Sequence, residues 1–500
     1  MLFLVSGAMI YFFTLYQTDR DNNDFLPPEQ QSKRGDILSA DGYHLAKTQK
    51  LYEVVLDRNY IDPKKEEEFI ELLSIYGKIN MEEIKEHLRA NGRFITISKK
   101  IHYREARQLV KLNTILWKNG VFISYETSKG EHIEHGIKIN ESGEIREYPY
   151  GKLLTPVLGY TRTMEDKGIR QICGIKGLEK FFDQELTSNT SNDLNNQYKS
   201  FSIKLNIPMK LQMDVEKIAD NYKRQFQADE IIATVMESKT GKILSQASSN
   251  RYNPSDISPE HYTSLNTNAI ELSYEPGAMI SPILSALLLD KHLTRQSEII
   301  NGLKQFGFTN FSGIDLPYEK RGSIPSYPQL VNDRNKLITT YDYGMRANSI
   351  QLLKAFNVFN NNGYLVNPMI VNALIDTNGK TIPVHTQNPV QIISPATAQQ
   401  MKQNLIKAVN AETGTLAKMS GLEIGGTTGT TCFNKEDQYS KNGITSYIGF
   451  ANDHQHTYTI GITVIKPRIT YFSTHSAVPI FKAIVDLMVK QKYLTVKNDA

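Results

Sequence analysis

The sequence predicts an α+β protein in which helices cover an antiparallel sheet. Two observations from residue 203 onward support this fold class. Strands and helices first alternate there, and the chain then closes with three short strands and an amphipathic helix at 478–488. A third observation separates this part from an N-terminal domain: residues 187–202 contain no apolar run and are typical of a domain boundary.

The chain begins with the apolar run MLFLVSGAMIYFFTLY at 1–16. As a helix it would span roughly 24 Å, slightly less than the ~30 Å hydrocarbon core of a bilayer. No small-residue cleavage site follows, which favours a retained anchor over a removed signal peptide. The segment that follows the anchor begins with acidic residues and is expected to lie outside the cytoplasm. Because no basic residue precedes the run, we also expect the true start to lie upstream.

The remaining organisation follows from composition. Residues 17–33 are polar and rich in Pro and Gln, as expected for a linker. Residues 34–186 mix strands with amphipathic helices at 64–76 and 80–90, and we call this region the pedestal. After the boundary at 187–202, residues 203–492 form the second domain and 493–500 a tail.

The second domain has a regular succession of predicted elements. Its strands are expected at 204–208, 231–236, 242–247, 422–425, 444–451 and 457–466. Its helices are expected at 211–225, 282–289, 347–359, 395–409 and 478–488. The helix at 282–289 is apolar all round, which predicts a position inside the domain. Lys239-Thr240-Gly241 is expected to form a hairpin turn between two of the strands.

Composition excludes several classes of function. A net charge of +4 over 500 residues, without a basic stripe, argues against nucleic-acid binding. Cys173 and Cys432 are expected to be buried thiols. The segment Glu131–His135 contains two histidines three positions apart but no evident third ligand. We therefore expect no metal and no cofactor.

Many short motifs occur in an order that is typical of one family. They are Arg34-Gly35-Asp36-Ile37-Leu38, Tyr148-Pro149-Tyr150-Gly151, Leu158-Gly159-Tyr160, Gly174-Ile175-Lys176-Gly177-Leu178-Glu179, Phe306-Gly307-Phe308, Gly313-Ile314-Asp315-Leu316-Pro317 and Tyr343-Gly344-Met345. Together they resemble the class B penicillin-binding proteins, which are monofunctional peptidoglycan D,D-transpeptidases, and most closely the septal cell-division branch. The resemblance implies a membrane anchor, a pedestal and a penicillin-binding transpeptidase domain.

The first catalytic motif of this family is Ser-x-x-Lys, which places a nucleophile and a base one helical turn apart. The matching stretch here is Tyr274–Pro282, with Ala278 at the serine position and Ser281 at the lysine position. No serine anywhere in the chain is followed by lysine three residues later. A methyl group cannot form an acyl-enzyme, so this motif predicts loss of the nucleophile.

The second and third catalytic motifs also differ from the family pattern. No Ser-x-Asn occurs between Ser281 and Phe306, where the resemblance implies one. The third motif, Lys-Thr-Gly on a strand beside the cleft, matches Gly425–Thr430, with Thr427 at the lysine position. Thr428, Gly429 and Thr430 are kept and are the expected substrate-binding remnants.

From these residues we predict that the chain is not an enzyme. We expect a binding or scaffold component of cell-wall synthesis or division, anchored in the inner membrane with its bulk in the periplasm. The expected partners are membrane proteins of the cell-wall synthase or divisome, with stem peptides of peptidoglycan as a second type of ligand. The pedestal, with Arg34 and Glu179, is the expected partner-binding surface.

Two alternatives stay open at this stage. Ser281 could serve as the nucleophile of a weakly active acyl transferase, hydrolase or penicillin-binding protein, a role that labelling with a fluorescent penicillin would reveal. The chain could also be the non-functional remnant of a duplicated gene. Its expression level and a deletion phenotype would separate that alternative from a binding role.

Overall fold

A computed structural model describes residues 34–89, 92–126, 132–133, 136–166, 169–187, 200–291, 296–324, 344–384, 387–411, 415–431 and 443–497. These residues form two compact units, the first from residues 48–145 and the second from residues 34–47 and 146–497. The predicted anchor at 1–16, the linker at 17–33 and Cys432 lie outside the described residues. None of the helices seen in the described ranges is both long and apolar enough to cross a membrane.

The secondary structure is mixed, as an α+β fold requires. The strands are β1 (Ile37–Leu38), β2 (His44–Asp57), β3 (Phe94–His102), β4 (Tyr125–Glu126), β5 (His132–Ile133), β6 (Ile137–Glu147), β7 (Thr161–Asp166), β8 (Ile169–Gly174), β9 (Ser202–Leu205), β10 (Glu230–Glu237), β11 (Ile243–Ser248), β12 (Tyr364–Leu365), β13 (Val371–Ile375), β14 (Thr381–Pro383), β15 (Val390–Gln391), β16 (Glu423–Thr431), β17 (Ile444–Asn452) and β18 (Thr457–Ile465). The helices are α1 (Glu66–Gly77), α2 (Met81–Arg89), α3 (Tyr103–Lys118), α4 (Gly177–Phe181), α5 (Asp183–Leu186), α6 (Met209–Phe226), α7 (Asn268–Glu271), α8 (Ser281–Lys291), α9 (Gln296–Gln305), α10 (Ser349–Asn360), α11 (Pro395–Ala411) and α12 (Ala477–Lys490).

The first unit is a small sheet backed by helices. Strands β3 and β6 both pair with β2, and α1 packs against α3. Apolar residues at helical spacing, such as Phe69 and Leu73 of α1 and Leu109 of α3, are fully buried in one core. Trp117 completes this core with an edge contact to Tyr60 at a centroid distance of 5.7 Å.

The second unit is built around a five-stranded antiparallel sheet with the order β11-β10-β18-β17-β16. The sheet separates two apolar cores, one containing α6 and α12 and the other containing α8 and α10. Every residue of α10 is buried, whereas Leu289 of α8 is 36% exposed. The helix that runs through the centre of the domain is therefore α10, and α8 has one face at the surface.

Most predicted elements of the second unit are present. The turn at Lys239-Thr240-Gly241 joins β10 to β11, and Gly241 has a φ of 77°, a value that favours glycine. The strand predicted at 422–425 is longer, because β16 continues through the Gly- and Thr-rich run to Thr431 by pairing with β17. The α+β architecture is confirmed, and the predicted domain boundaries at 186 and 203 stay a prediction.

Candidate functional site

A tight turn before α8 lies against the edge strand β16. Residues Gly277–Ile280 form a single 3₁₀ turn, and Gly277 adopts a φ of 61°. A Cβ at Gly277 would lie 3.0 Å from the carbonyl oxygen of Thr430, and one at Gly429 would lie 2.5 Å from that of Pro276. The two glycines therefore allow the turn and the strand to approach closely.

The turn presents position 278 to solvent. Ala278 is exposed, whereas its neighbours Met279 and Ile280 are completely buried and hold the turn on the core. Ser281 follows as the half-buried first residue of α8. The structure thus brings together Ala278 and the third-motif strand, which the sequence placed about 150 residues apart.

The pairing register of β16 shows which side chains face the turn. Cross-strand partners share one face of a sheet and successive residues alternate. Gly429 pairs with Ser446, so Gly429 and Thr427 lie on the face occupied by the turn. Thr428 and Thr430 lie on the other face, where the Oγ1 of Thr430 is 2.7 Å from the Oγ of Ser473.

Strand β16 is the outer edge of its sheet. It pairs with β17 along its whole length, from Glu423 opposite Asn452 to Thr431 opposite Ile444. No other strand in the described part of the chain pairs with it. An edge strand leaves half of its backbone N–H and C=O groups available to an added extended chain.

A buried group of hydroxyls lies beneath the segment that leads into the turn Gly277–Ile280. The Oη of Tyr274 lies 3.2 Å from both the Oγ of Ser446 and the Oγ1 of Thr463. The Oγ of Ser349 lies 3.0 Å from the same threonine oxygen. Sequence reasoning missed this group, because its members come from two strands, a helix and the segment before the turn, which only the fold brings together.

A second motif-rich region of the same unit is a buried ionic cluster around Glu179. Arg34 is 1% exposed and Glu179 is completely buried. The Nε and Nη2 of Arg34 donate to the Oε2 of Glu179 at 2.9 and 2.7 Å, and its Nη1 donates to Asp183 at 2.7 Å. The Nε of Arg146 donates to the other carboxylate oxygen of Glu179 at 2.8 Å.

The charges of this cluster balance one another. Burial by itself raises the pKa of Glu179, but the charges of Arg146 and Arg34 together with their hydrogen bonds hold that pKa below its ordinary value. A carboxylate paired in this way stays ionised inside the fold. The prediction that Arg34 and Glu179 form a partner-binding surface is wrong, because neither side chain reaches the surface.

The fold and both motif regions define a penicillin-binding protein. A family model described as the penicillin-binding protein transpeptidase domain matches residues 231–302 and 294–486. A second, described as the penicillin-binding protein dimerisation domain, matches residues 29–197. The chain therefore belongs to the class B penicillin-binding proteins, and the resemblance read from its motifs is confirmed.

Individual relatives agree with this assignment. Stage V sporulation protein D of Bacillus subtilis is 24% identical, over 88% of this chain and 75% of its own length. Peptidoglycan D,D-transpeptidase FtsI of Buchnera aphidicola is 22% identical, over 71% of this chain and 70% of its own. The crystal structure of penicillin-binding protein 2X from Streptococcus thermophilus matches with a TM-score of 0.72 at 17% identity, covering 93% of this chain and 82% of that one.

These comparisons contradict the prediction that the chain is not an enzyme. The transpeptidase-domain model matches most of the second unit, and relatives are named peptidoglycan D,D-transpeptidases. The prediction relied on departures from three short motifs, namely Ala278 and Ser281 in the first, the missing Ser-x-Asn and Thr427 in the third. In the folded chain the turn Gly277–Ile280 is followed at once by Ser281, and it packs on a strand rich in threonine.

Proposed function

We propose that this protein acts in peptidoglycan synthesis during cell division, and that its transpeptidase-fold domain binds peptide stems of peptidoglycan in extended form along β16. The observation that carries the proposal is the edge position of β16 directly beside the turn Gly277–Ile280. Main-chain hydrogen bonds to an edge strand recognise any extended peptide, and neighbouring side chains select among peptides.

Thr427 is the side chain that we expect to select the ligand. It lies half-buried on the face of β16 that carries the turn. A stem peptide ends in a carboxylate, and a hydroxyl at this position can donate a hydrogen bond to it. A negative charge placed there would repel the carboxylate by about 1 kcal/mol or more at close range.

This expectation is tested by comparing Thr427→Glu with Thr381→Glu, in which the exposed Thr381 of β14 serves as the matched control. Binding of a synthetic stem pentapeptide is measured by calorimetry. We expect roughly fivefold or greater weakening in Thr427→Glu, from the repulsion of like charges, and no change in the control. Equal affinities in the two variants would argue against binding along β16.

A second candidate function is serine-type acyl transfer through Ser281. The match to the transpeptidase family favours it, and Ser281 supplies a hydroxyl at the start of α8, three residues after Ala278. Peptide N–H groups at a helix start stabilise developing negative charge on an oxygen. Intact-mass measurement after penicillin treatment tests it: an adduct that disappears in Ser281→Ala supports this role, and an adduct that persists places the nucleophile elsewhere.

For partners, we propose that the pedestal contacts membrane proteins of the cell-wall synthase, with the apolar segment 1–16 as the anchor. Exposed aromatic residues support this proposal: Tyr43 is 51% exposed and Tyr150 39%, and their rings form an edge contact at 6.4 Å. The envelope proteins recovered by cross-linking to Tyr43→Ala are compared with those recovered by Tyr262→Ala, in which an exposed tyrosine outside the pedestal is replaced. Unchanged recovery in Tyr43→Ala would count against the pedestal.

A further inference from the structure

A cavity of about 600 Å³ opens at one end of the five-stranded sheet, where β10 begins and β18 ends. Its walls come from the C-terminal end of α6, the loop after β11 and helix α7. The residues that the argument uses are Lys223, Glu230, Asn268, Leu272, Ile465 and Lys466. This volume is within the range of pockets that hold small organic ligands.

Glu230 is a buried acid in the wall of this cavity. It is 3% exposed, and both of its carboxylate oxygens accept hydrogen bonds from neutral groups. The Oγ of Ser248 donates to Oε1 at 2.6 Å and the Nδ2 of Asn268 donates to Oε2 at 2.6 Å. No lysine or arginine in the described residues forms an ion pair with it. Burial raises the pKa of this carboxyl, although the two hydrogen bonds and Lys223 act in the opposite direction.

The rest of the cavity wall carries charged and apolar side chains. Lys223 belongs to the wall, and its Nζ reaches the carbonyl oxygen of Ser249 at 3.4 Å. Lys466 lies 3.5 Å from Asp229, which also pairs with Arg468. Leu272 and Ile465 supply apolar surface between the charged groups. The cavity wall therefore carries two acids, Asp229 and Glu230, and two lysines, with apolar side chains between them; Asp229 is already paired with Lys466 and Arg468.

The cavity is separate from the cleft beside Ala278. In the sheet, Glu230 pairs with Ile465, Ile465 pairs with Ile444, and Ile444 pairs with Thr431 at the end of β16. Three strand spacings of ~4.8 Å separate Glu230 from β16, which is about 14 Å. A ligand in the cavity would leave the outer edge of β16 accessible.

We propose that this cavity binds a short peptide with a free N-terminus, whose ammonium group pairs with Glu230 and whose carboxylate lies near Lys223 and Lys466. A buried carboxylate that forms no direct ion pair is costly, and an incoming ammonium group would compensate its charge. Small apolar side chains of the peptide would contact Leu272 and Ile465. A peptide fits better than a simple cation, because the cavity wall also contains Lys223 and Lys466.

The test uses the full chain and trialanine, together with N-acetyltrialanine and trialanine amide, which lack the ammonium and the carboxylate, respectively. Calorimetry is expected to show saturable binding of trialanine at millimolar concentration. Acetylation should weaken binding at least tenfold, and amidation should weaken it by a smaller factor, because Lys466 also pairs with Asp229. Equal affinity for trialanine and its acetylated form, or no saturable binding, would overturn the proposal.

Variants then locate the binding site. Glu230→Gln should lower the affinity for trialanine to that of the acetylated peptide, and the matched control Glu260→Gln should not, since Glu260 has a 79% exposed side chain on an adjacent segment. Because the peptide series needs no mutation, the test stands even if Glu230→Gln fails to fold. Loss of binding in Thr427→Glu alone would place the peptide in the cleft and refute the cavity site.

Discussion

The cluster around Glu179 and the cleft beside Ala278 both belong to the second unit and both were visible as motifs, but they differ in how their polar groups are used. In the cluster, Glu179 is buried and receives hydrogen bonds from Arg34, Arg146 and Tyr148. In the cleft, Ala278 is exposed, Thr427 is half-buried, and β16 has one edge along which no strand of the described residues pairs.

The two regions therefore represent two kinds of motif. A motif whose side chains satisfy one another inside the fold has a structural role, and its function can be stated from the contacts alone. A motif on the edge strand of a sheet keeps part of its backbone for partners outside the chain. Stability measurements test the structural role of the cluster, and peptide-binding measurements test the cleft.

The largest effect is expected at Glu179. Glu179→Ala leaves Arg34 and Arg146 buried without their shared carboxylate, which should lower the free energy of unfolding by about 3–5 kcal/mol. Urea denaturation is the measurement, with the exposed Glu260→Ala as the control. A loss no larger than that of the control would mean that the cluster does not stabilise the fold.

The next largest effect is a pH dependence of the unfolding free energy that arises from Glu216. This acid is 5% exposed, and it accepts hydrogen bonds at 2.8 Å from the backbone N–H of Leu154 and from the side chain of Gln212. Burial raises its pKa from 4.5 to about 7, against the opposing charge of Arg251. Since the folded-state pKa exceeds the unfolded value, this contribution to stability is full below pH 4.5 and is lost as the pH rises through 7.

The loss should amount to about 3 kcal/mol, from 1.36 kcal/mol for each unit of pKa shift. In Glu216→Gln this decline with rising pH should be absent, because the amide does not titrate. The difference between the unfolding free energies of wild type and variant is therefore measured from pH 4 to pH 8. Parallel curves would show that Glu216 does not titrate in the folded state as described.

A smaller effect is expected where the turn meets the strand. A Cβ at Gly429 would lie 2.5 Å from the carbonyl oxygen of Pro276 and 2.6 Å from the side chain of Met279. Gly429→Ala should therefore push the turn from β16 and destabilise the protein by about 1–3 kcal/mol, with weaker binding of the stem pentapeptide. In the control Gly461→Ala, the nearest atom is a flexible Leu353 methyl at 3.2 Å, so a smaller loss is expected.

Sequence reasoning predicted the elements whose pattern is local. The helix expected at 211–225 is α6, the strands expected at 231–236 and 444–451 are β10 and β17, and the closing helix at 478–488 is α12. Their apolar spacing is visible in a short window. Strand β16 was predicted too short, because glycine and threonine give no alternating apolar signal and its length depends on β17.

The site was predictable only in part. The residues of the turn and of β16 were identified, and the structure brings them together. The burial of Arg34 was missed, since its partner Glu179 lies 145 residues away and a charged residue is normally exposed. The cavity beside Glu230 was missed for the same reason: its walls come from segments that are distant in sequence.

The central claim, that β16 binds an extended stem peptide, is tested most directly by hydrogen–deuterium exchange of the full chain with and without a stem pentapeptide. Strand addition would place new hydrogen bonds on the outer N–H groups of residues 423–431, so these amides should exchange more slowly when the peptide is bound. Saturation of the protein with peptide while exchange along β16 stays unchanged would contradict the account.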